Sequence, residues 1–318
     1  MKSGAKRQLS HQEIERLIGE TLSETVRDSA ELSDGWANSA YRIELGDGRS
    51  VIMKVAPPKD IPTMRYEKDI MQAEVAVLRL VGEQCEGVPV PAVLAHDDSL
   101  TLIDSEYFIM DCLSGTPFNK LRDSLSEAEQ TVIDGQLGIF NRRINEMRGE
   151  RFGLYAQPDS WRSSWTDAFG LMISYLLADA KDAGIELPEG YAAMERRIVE
   201  RFDCLAEVKE PQLVLWDLWD GNVFVDNGRV SGLIDFERAL WGDPLMESYF
   251  YQLGSKAAFL EGYGIKEWSE DQRNRRSLYD LYLDLVMWIE CTYRRYENKG
   301  HIQWARDNLT QSWSKFLA

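Results

Sequence analysis

Histidine and cysteine are scarce in this chain. Its three histidines, His11, His96 and His301, are scattered and none neighbours another. That argues against a zinc site and against a nucleophile activated by histidine. The four cysteines, Cys85, Cys112, Cys204 and Cys291, contain no Cys-x-x-Cys pair. They read as reduced thiols of a cytoplasmic protein, not as a disulfide or zinc framework. No apolar run approaches the roughly 20 residues that a membrane helix needs. The opening Met-Lys-Ser-Gly-Ala-Lys-Arg lacks the apolar segment of a secretion signal. Basic residues are outnumbered, 36 against 53 acidic, for a net charge of −17. A nucleic-acid partner, which needs a basic face, is therefore not expected. A cationic small molecule would be drawn to an acidic cleft.

What is present is globular. The 318 residues are 44% hydrophobic and 28% charged, enough for two domains or one two-lobed unit. The most informative stretch runs from 213 to 237. Two apolar runs, 223–225 and 230–234, flank Asp226-Asn-Gly-Arg229, and Asn-Gly is the strongest short hairpin signal. Asp217 and Asn222 fall on the loop before this hairpin, and Asp235 falls as its second strand ends. Two carboxylates and a carboxamide thus gather at one end of a small sheet. Oxygen ligands of this kind suit Mg²⁺, which is usually shared with a substrate phosphate.

Asp-x-x-x-x-Asn, a hairpin, then Ile-Asp-Phe-Glu resembles the catalytic segment of the aminoglycoside phosphotransferase family, small-molecule kinases with the protein-kinase fold. The family reads His-Gly-Asp-x-x-x-x-Asn, then Ile-Asp-Trp/Phe-Glu. This chain has Leu215-Trp216-Asp217 up to Asn222, then Ile234-Asp235-Phe236-Glu237. The resemblance implies that Asp217 is the catalytic base and that Asn222 and Asp235 hold Mg²⁺. The departure is at Leu215 and Trp216, where the family's His and Gly are missing. That His organises the loop and carries no proton, so the chemistry survives its loss.

Upstream, Ser10 and Glu13 have capping-box spacing before Ile14, Leu17, Ile18 and Leu22, which predicts a helix. From Leu32 the pattern turns to strands, two of them joined by Gly46-Asp-Gly-Arg49. The small-residue loop before them, centred on Gly35, Asn38 and Ser39, resembles the family's nucleotide-covering loop. Lys54 is a lone cation in an apolar strand and resembles the Val-Ala-Ile-Lys strand whose lysine pairs with ATP phosphates. A helix over 63–82 puts Glu74 on the same face as Met71, Val75 and Leu78, where a charge calls for a partner. Lys54 is the natural one, with Glu67 as rival to Glu74. The strand over 106–113 resembles the hinge between kinase lobes, with backbone of Met110, Asp111, Cys112 and Leu113 facing adenine.

Helices are expected at 124–147, with Val132, Ile133, Leu137, Phe140 and Ile144 inward, and at 159–183, a tryptophan-rich surface that suits core or cleft. Shorter ones are expected at 191–205 and after Asp243-Pro244, where Asp243 reads as structural. The last two are expected at 278–297 and 303–316, with Asp284 and Glu290 as residues that could face the cleft.

The expected fold is α+β, a protein-kinase-like two-lobed unit. Residues 1–113 form a small antiparallel five-stranded lobe with one key helix, and 114–318 a larger, mainly helical lobe. The implied activity is Mg²⁺-dependent transfer of the γ-phosphate of ATP, or GTP, to a substrate hydroxyl, on an aminoglycoside antibiotic or another cationic, amine-bearing compound. A pseudokinase that binds nucleotide or antibiotic without turnover is the alternative. A protein kinase ranks low, since no Ala-Pro-Glu-like segment follows Asp235. An Mg²⁺-dependent hydrolase would not need Lys54 or Glu74.

Overall fold

The computed structural model describes residues 6–32, 38–59, 61–254 and 256–318. Helix α1 (His11–Leu22) starts at the expected capping box, Ser10 accepting the Glu13 N–H while the Glu13 carboxylate accepts that of Ser10. Strands β1 (Val26–Leu32), β2 (Ser39–Leu45) and β3 (Ser50–Val55) follow. After helix α2 (Ile70–Gln84) come β4 (Val93–Asp97) and β5 (Tyr107–Asp111). The five strands form one antiparallel sheet in the order β1-β2-β3-β5-β4.

Period-two alternation divides the sheet's side chains between two cores. Ile43, Met53, Val55 and Ile109 pack with Ile14, Leu17 and Ile18 of α1. Phe108 and Met110 join Val75 and Leu78 of α2 in the other core. Lys54, lying between Met53 and Val55, is therefore delivered to the α2 side of the sheet. Strand β1 begins earlier than the sequence pattern suggested. It is an edge strand whose residues are mostly exposed, so it carries no alternating apolar signature. The helix expected over 63–82 is split. A 3-10 turn, Arg65–Glu67, precedes α2, and Asp69 at φ 60° separates the two.

The helical lobe opens with β6 (Thr116–Pro117) and α3 (Phe118–Leu121), then α4 (Glu127–Asn145), capped by Ser126. Val132 of α4, expected inward, is instead 50% exposed. Strand β7 (Gly153–Leu154) leads to α5 (Trp165–Asp182), shorter than expected because Pro158–Ser160 form a separate turn. Two aromatics of α5 are core: Trp165 donates from Nε1 to the Tyr279 hydroxyl at 2.7 Å, and Phe169 packs edge-on against Tyr279, while Tyr175 is only partly buried. Helix α6 (Tyr191–Val199) stops before a 3-10 segment at Phe202–Glu207, so the single helix expected there is two pieces.

Strands β8 (Gln212–Val214), β9 (Val223–Asp226), β10 (Arg229–Leu233) and β11 (Leu240–Gly242) follow, in two three-stranded sheets, β10-β9-β6 and β7-β11-β8. The β9–β10 hairpin turns at Asn227 and Gly228, with φ of 49° and 73°, as Asn-Gly predicts. After Asp243 the expected helix is only a 3-10 turn, Pro244–Met246, because Glu247 leaves helical dihedrals at ψ 137°. Helices α7 (Ala257–Tyr263), α8 (Glu270–Tyr293) and α9 (Lys299–Leu317) complete the chain. None of the described helices is long and apolar enough to cross a membrane.

Helices α4 and α7 approach at glycines. A Cβ on Gly138 would lie 2.1 Å from the Phe259 carbonyl oxygen, and one on Gly262 would lie 2.3 Å from that of Gly135. Backbone is thus packed on backbone, with no flexible side chain to yield. Gly138→Ala is expected to destabilise the protein by about 1–3 kcal/mol through overpacking. Its urea midpoint should fall, whereas Gly190→Ala, where a Cβ meets nothing within 4 Å, should leave the midpoint in place.

Candidate active site

The loop between β8 and β9 is held from two directions. Trp216 sits in the left-handed region at φ 62°, which costs a residue with a Cβ about 1–2 kcal/mol. This is the position where the family pattern has Gly. Burial offsets the cost. Trp216 is 1% exposed and packs against Tyr282 and Tyr66, with ring centres 5.3 and 6.1 Å away. Beneath the loop, the buried carboxylate of Glu247 accepts the Trp216 N–H at 3.1 Å and the Leu218 N–H at 3.0 Å. Burial pushes the Glu247 pKa up against the pull of these N–H groups. Leu215, in place of the family His, is a core residue, so loop organisation has passed to Glu247 and the Trp216 ring.

Asn222 closes the loop. Its Nδ2 donates to the Asp217 carbonyl at 2.9 Å, its N–H to the Trp219 carbonyl at 2.9 Å, and its own carbonyl accepts the Ile234 N–H at 3.0 Å. That last bond brings the end of the hairpin, and with it Asp235, beside the loop. Asp235 also has positive φ, 63°. Its carboxylate forms a close ion pair with Lys54, whose Nζ also meets Glu74 Oε1 at 2.6 Å. Glu67, the rival partner, pairs instead with Arg294 at 2.6 Å.

This cluster holds more carboxylates than cations. Lys54 is 7% exposed, and burial alone would lower its pKa; Asp235, Glu74 and Glu237 outweigh burial and raise it. Burial lifts Glu74 to about 7 despite Lys54. Glu237 is raised by burial and by Asp235, and its Oε2 accepts the Asn38 amide at 2.9 Å. Half-buried Asp217 is pushed up to about 7, by burial first and then by Asp235, Glu237 and Glu290, with Arg238 opposing. A carboxylate titrating there can take a proton near neutrality.

Beside Asp217 lies a second buried ionic group. Arg238 Nη2 meets Glu290 Oε1 at 2.6 Å, and its guanidinium lies 5.6 Å from the ring centres of Tyr66 and Trp216. Tyr66 also donates its hydroxyl to Glu290, and Arg294 approaches it at 3.4 Å. Asp284 accepts hydrogen bonds from the Tyr251 and Ser312 hydroxyls. Both α8 carboxylates that could have faced the cleft are therefore engaged inside the lobe. Asp243 is structural, as expected, accepting from Arg275 Nε and the Tyr279 hydroxyl, both at 2.8 Å.

Of the residues that the sequence resemblance assigns to the nucleotide, Gly35 lies outside the described residues. The Ser39 hydroxyl donates to the Arg7 carbonyl and does not turn to the cleft. Met110 is buried in β5, and Asp111, the last residue of the strand, donates its N–H to the Ala92 carbonyl at 3.0 Å. Asp111, Cys112 and Leu113 line a cavity of about 430 Å³, together with Arg49, Val51 and Ser231. Sequence spacing alone assigns no role to Arg238 or Glu247 and gives no sign of the Asn38–Glu237 bond. Only the third dimension joins these residues to the loop.

Glu247→Ala would strand the N–H groups of Trp216 and Leu218. We expect a loss of about 2–6 kcal/mol in urea unfolding, at about 1–3 kcal/mol per orphaned donor, with Glu247→Gln intermediate.

Comparison with known proteins bears on the fold and the family. A family model described as "Phosphotransferase enzyme family" matches residues 28–270. A fructosamine-3-kinase, so named provisionally, from Haemophilus somnus 129PT superposes with a TM-score of 0.69 at 17% identity, covering 94% of this chain and 96% of that one. The streptomycin–ATP–APH(2")-IIa ternary complex gives 0.66 at 17% identity, covering 98% and 97%. The apo form of a thermostable mutant of aminoglycoside phosphotransferase APH(4)-Ia gives 0.65 at 20%, covering 95% and 98%. At these identities the superpositions establish the fold alone. Among curated proteins, Altered inheritance of mitochondria protein 9 of Meyerozyma guilliermondii is 22% identical over 160 residues. The match takes in 48% of this chain but only 25% of that relative's length. With its family model spanning well over half the residues and its kinase-like architecture in place, the chain belongs to the phosphotransferase enzyme family.

Proposed function

We propose that the protein is an Mg²⁺-dependent small-molecule kinase that moves the γ-phosphate of ATP, or GTP, to an alcohol. The observation that carries this reading is the buried Lys54, shared between Glu74 and Asp235 and set beside the loop of Asp217 and Asn222. We place the lobe boundary after Leu113, with the backbone of Met110, Asp111, Cys112 and Leu113 beside the adenine. Gly35 and Ser39 belong to the segment covering the phosphates.

The residues fit a divalent cation. Asn222 and Asp235 offer hard oxygens, and the surplus of carboxylates around Lys54 is a charge imbalance that a cation would relieve. Among the described residues no group of three or more His, Cys, Asp or Glu could hold a metal by itself, which suits an ion shared with phosphate oxygens. Bound Mg²⁺ supplies neutralisation of phosphate charge. The protein's own groups do the rest. Lys54 aligns the phosphates, Glu74 holds Lys54, and Asp217 orients the acceptor hydroxyl and accepts its proton.

The acceptor is a small molecule with a hydroxyl. A cationic amine would not find its partner in Asp284 or Glu290, which are internally engaged. Transfer of labelled γ-phosphate into a panel of aminoglycosides, macrolides and hydroxylated metabolites tests the reading. Absence of nucleotide binding would sink it, and binding without transfer to any compound would favour the pseudokinase.

Two variants extend the test. Lys54→Ala should abolish most transfer and, by stranding Glu74, cost about 3–5 kcal/mol of stability. Unimpaired phosphate release in that variant would point instead to a hydrolase. Asp217→Asn should lower kcat by about two to four orders of magnitude. Wild-type transfer should rise with pH through an apparent pKa of about 7. The same shift has a thermodynamic sign. Because folding raises this carboxyl above its ordinary 3.8, ionising it destabilises the fold, with nothing lost below the ordinary value and the full penalty reached above about 7. Asp217→Asn should therefore unfold later than wild type in mildly alkaline buffer but not in acid, as thermal melts at both conditions will show.

A further inference from the structure

We infer that Trp219 sets acceptor specificity, as a stacking platform for a hydroxyl-bearing ring with an apolar face. The inference deepens the phosphotransferase reading and rests on it. Burial alternates along the loop: Asp217 is half-buried, Leu218 is 2% exposed and Trp219 is 42% exposed. Leu218 goes to the core, while Asp217 and, two residues further on, Trp219 both keep exposed surface.

A single exposed aromatic is ordinary on a protein surface. This one is distinguished by its place and by how it is held. Among the described residues, it is the only exposed large hydrophobic side chain in the segment 215–237. Its carbonyl accepts the Asn222 N–H at 2.9 Å. Its ring lies over Gly221, where an added Cβ would sit 2.3 Å from Cη2 and 2.4 Å from Cζ2. The next residue, Asp220, is fixed by Arg122 and by the Tyr249 hydroxyl at 2.6 Å. The platform is therefore preorganised while its outer face stays open, the condition under which an aromatic surface adds affinity at low entropic cost.

Charge points the same way. Asp220 is paired with Arg122, Glu290 with Arg238, and Asp284 with two hydroxyls. None of these three is free to bind a cationic acceptor, and stacking on Trp219 requires no free carboxylate. A pyranose with an axial C–H face and an aromatic ring both offer the required surface.

The test labels the full chain with 5-fluorotryptophan. Of the ten tryptophan resonances, that of Trp219 is the one missing in Trp219→Phe. Methyl β-glucopyranoside and benzyl alcohol serve as ring probes, and sorbitol and ethanolamine as acyclic controls, with and without Mg²⁺ and a non-hydrolysable ATP analogue. A shift of the Trp219 resonance with a ring probe and not with the controls is expected, and the responding ring identifies the source. No shift with either ring, or an equal shift with the controls, overturns the proposal. In the transfer assay, Trp219→Ala should raise the acceptor KM about tenfold with a smaller change in kcat, and Trp219→Phe should retain most of the affinity. An unchanged acceptor KM in Trp219→Ala also overturns it. A chain that shows the shift yet transfers no phosphate keeps the platform and sinks the kinase reading, so the two failures are separable.

Discussion

A buried ammonium group cannot stand alone, and the architecture around Lys54 follows from that constraint. Strand β3 carries the lysine to the sheet face that α2 covers, and α2 answers with Glu74. The second carboxylate comes from 181 residues further along, at the end of the β9–β10 hairpin. Three elements from distant parts of the chain are thereby pinned to a single nitrogen. Removing the lysine would leave Glu74 and Asp235 without their shared cation in the interior. The unusual backbone of Asp235 is tolerated because its surroundings over-determine it.

A second ionic group supports the first. Glu67 and Tyr66, on the turn that leads into α2, reach Arg294 and Glu290 of α8, and Glu290 in turn holds Arg238 beside the loop. Two acids face two bases, so the group is balanced within itself. The turn before α2 is therefore anchored in the helical lobe, while Glu74 further along the same helix holds Lys54. The arrangement couples the two lobes through buried, weakly screened contacts.

Much of this was legible in the sequence because local chemistry and global pattern agree. Asn-Gly between apolar runs could only be a hairpin, and its flanks placed Asp217, Asn222 and Asp235 at one end of it. Glu74 was readable because a charge on an apolar helical face demands a partner. The failures have equally definite causes. Strand β1 is an edge whose exposed residues leave no alternation. Asp243-Pro244 carries a good helix-start signal, but Glu247 turns away to hold the loop, and tertiary need overrides local preference. Nothing in the sequence decides whether Asp284 and Glu290 face cleft, solvent or core, because the partners that hold them inside, Tyr251, Ser312 and Arg238, come from elsewhere in the chain. No local pattern encodes such pairings.

Trp216 has a consequence for how this chain can change. Its left-handed backbone would suit glycine, but the space around it is built for an indole lying against Tyr66 and Tyr282. Returning glycine to the position would relax the backbone and leave a hole about the size of the lost ring. The neighbours would then have to enlarge in concert. A large side chain at such a point is held there by its neighbours. Replacing it singly passes through less stable variants, so the indole and its two tyrosines should change together or not at all.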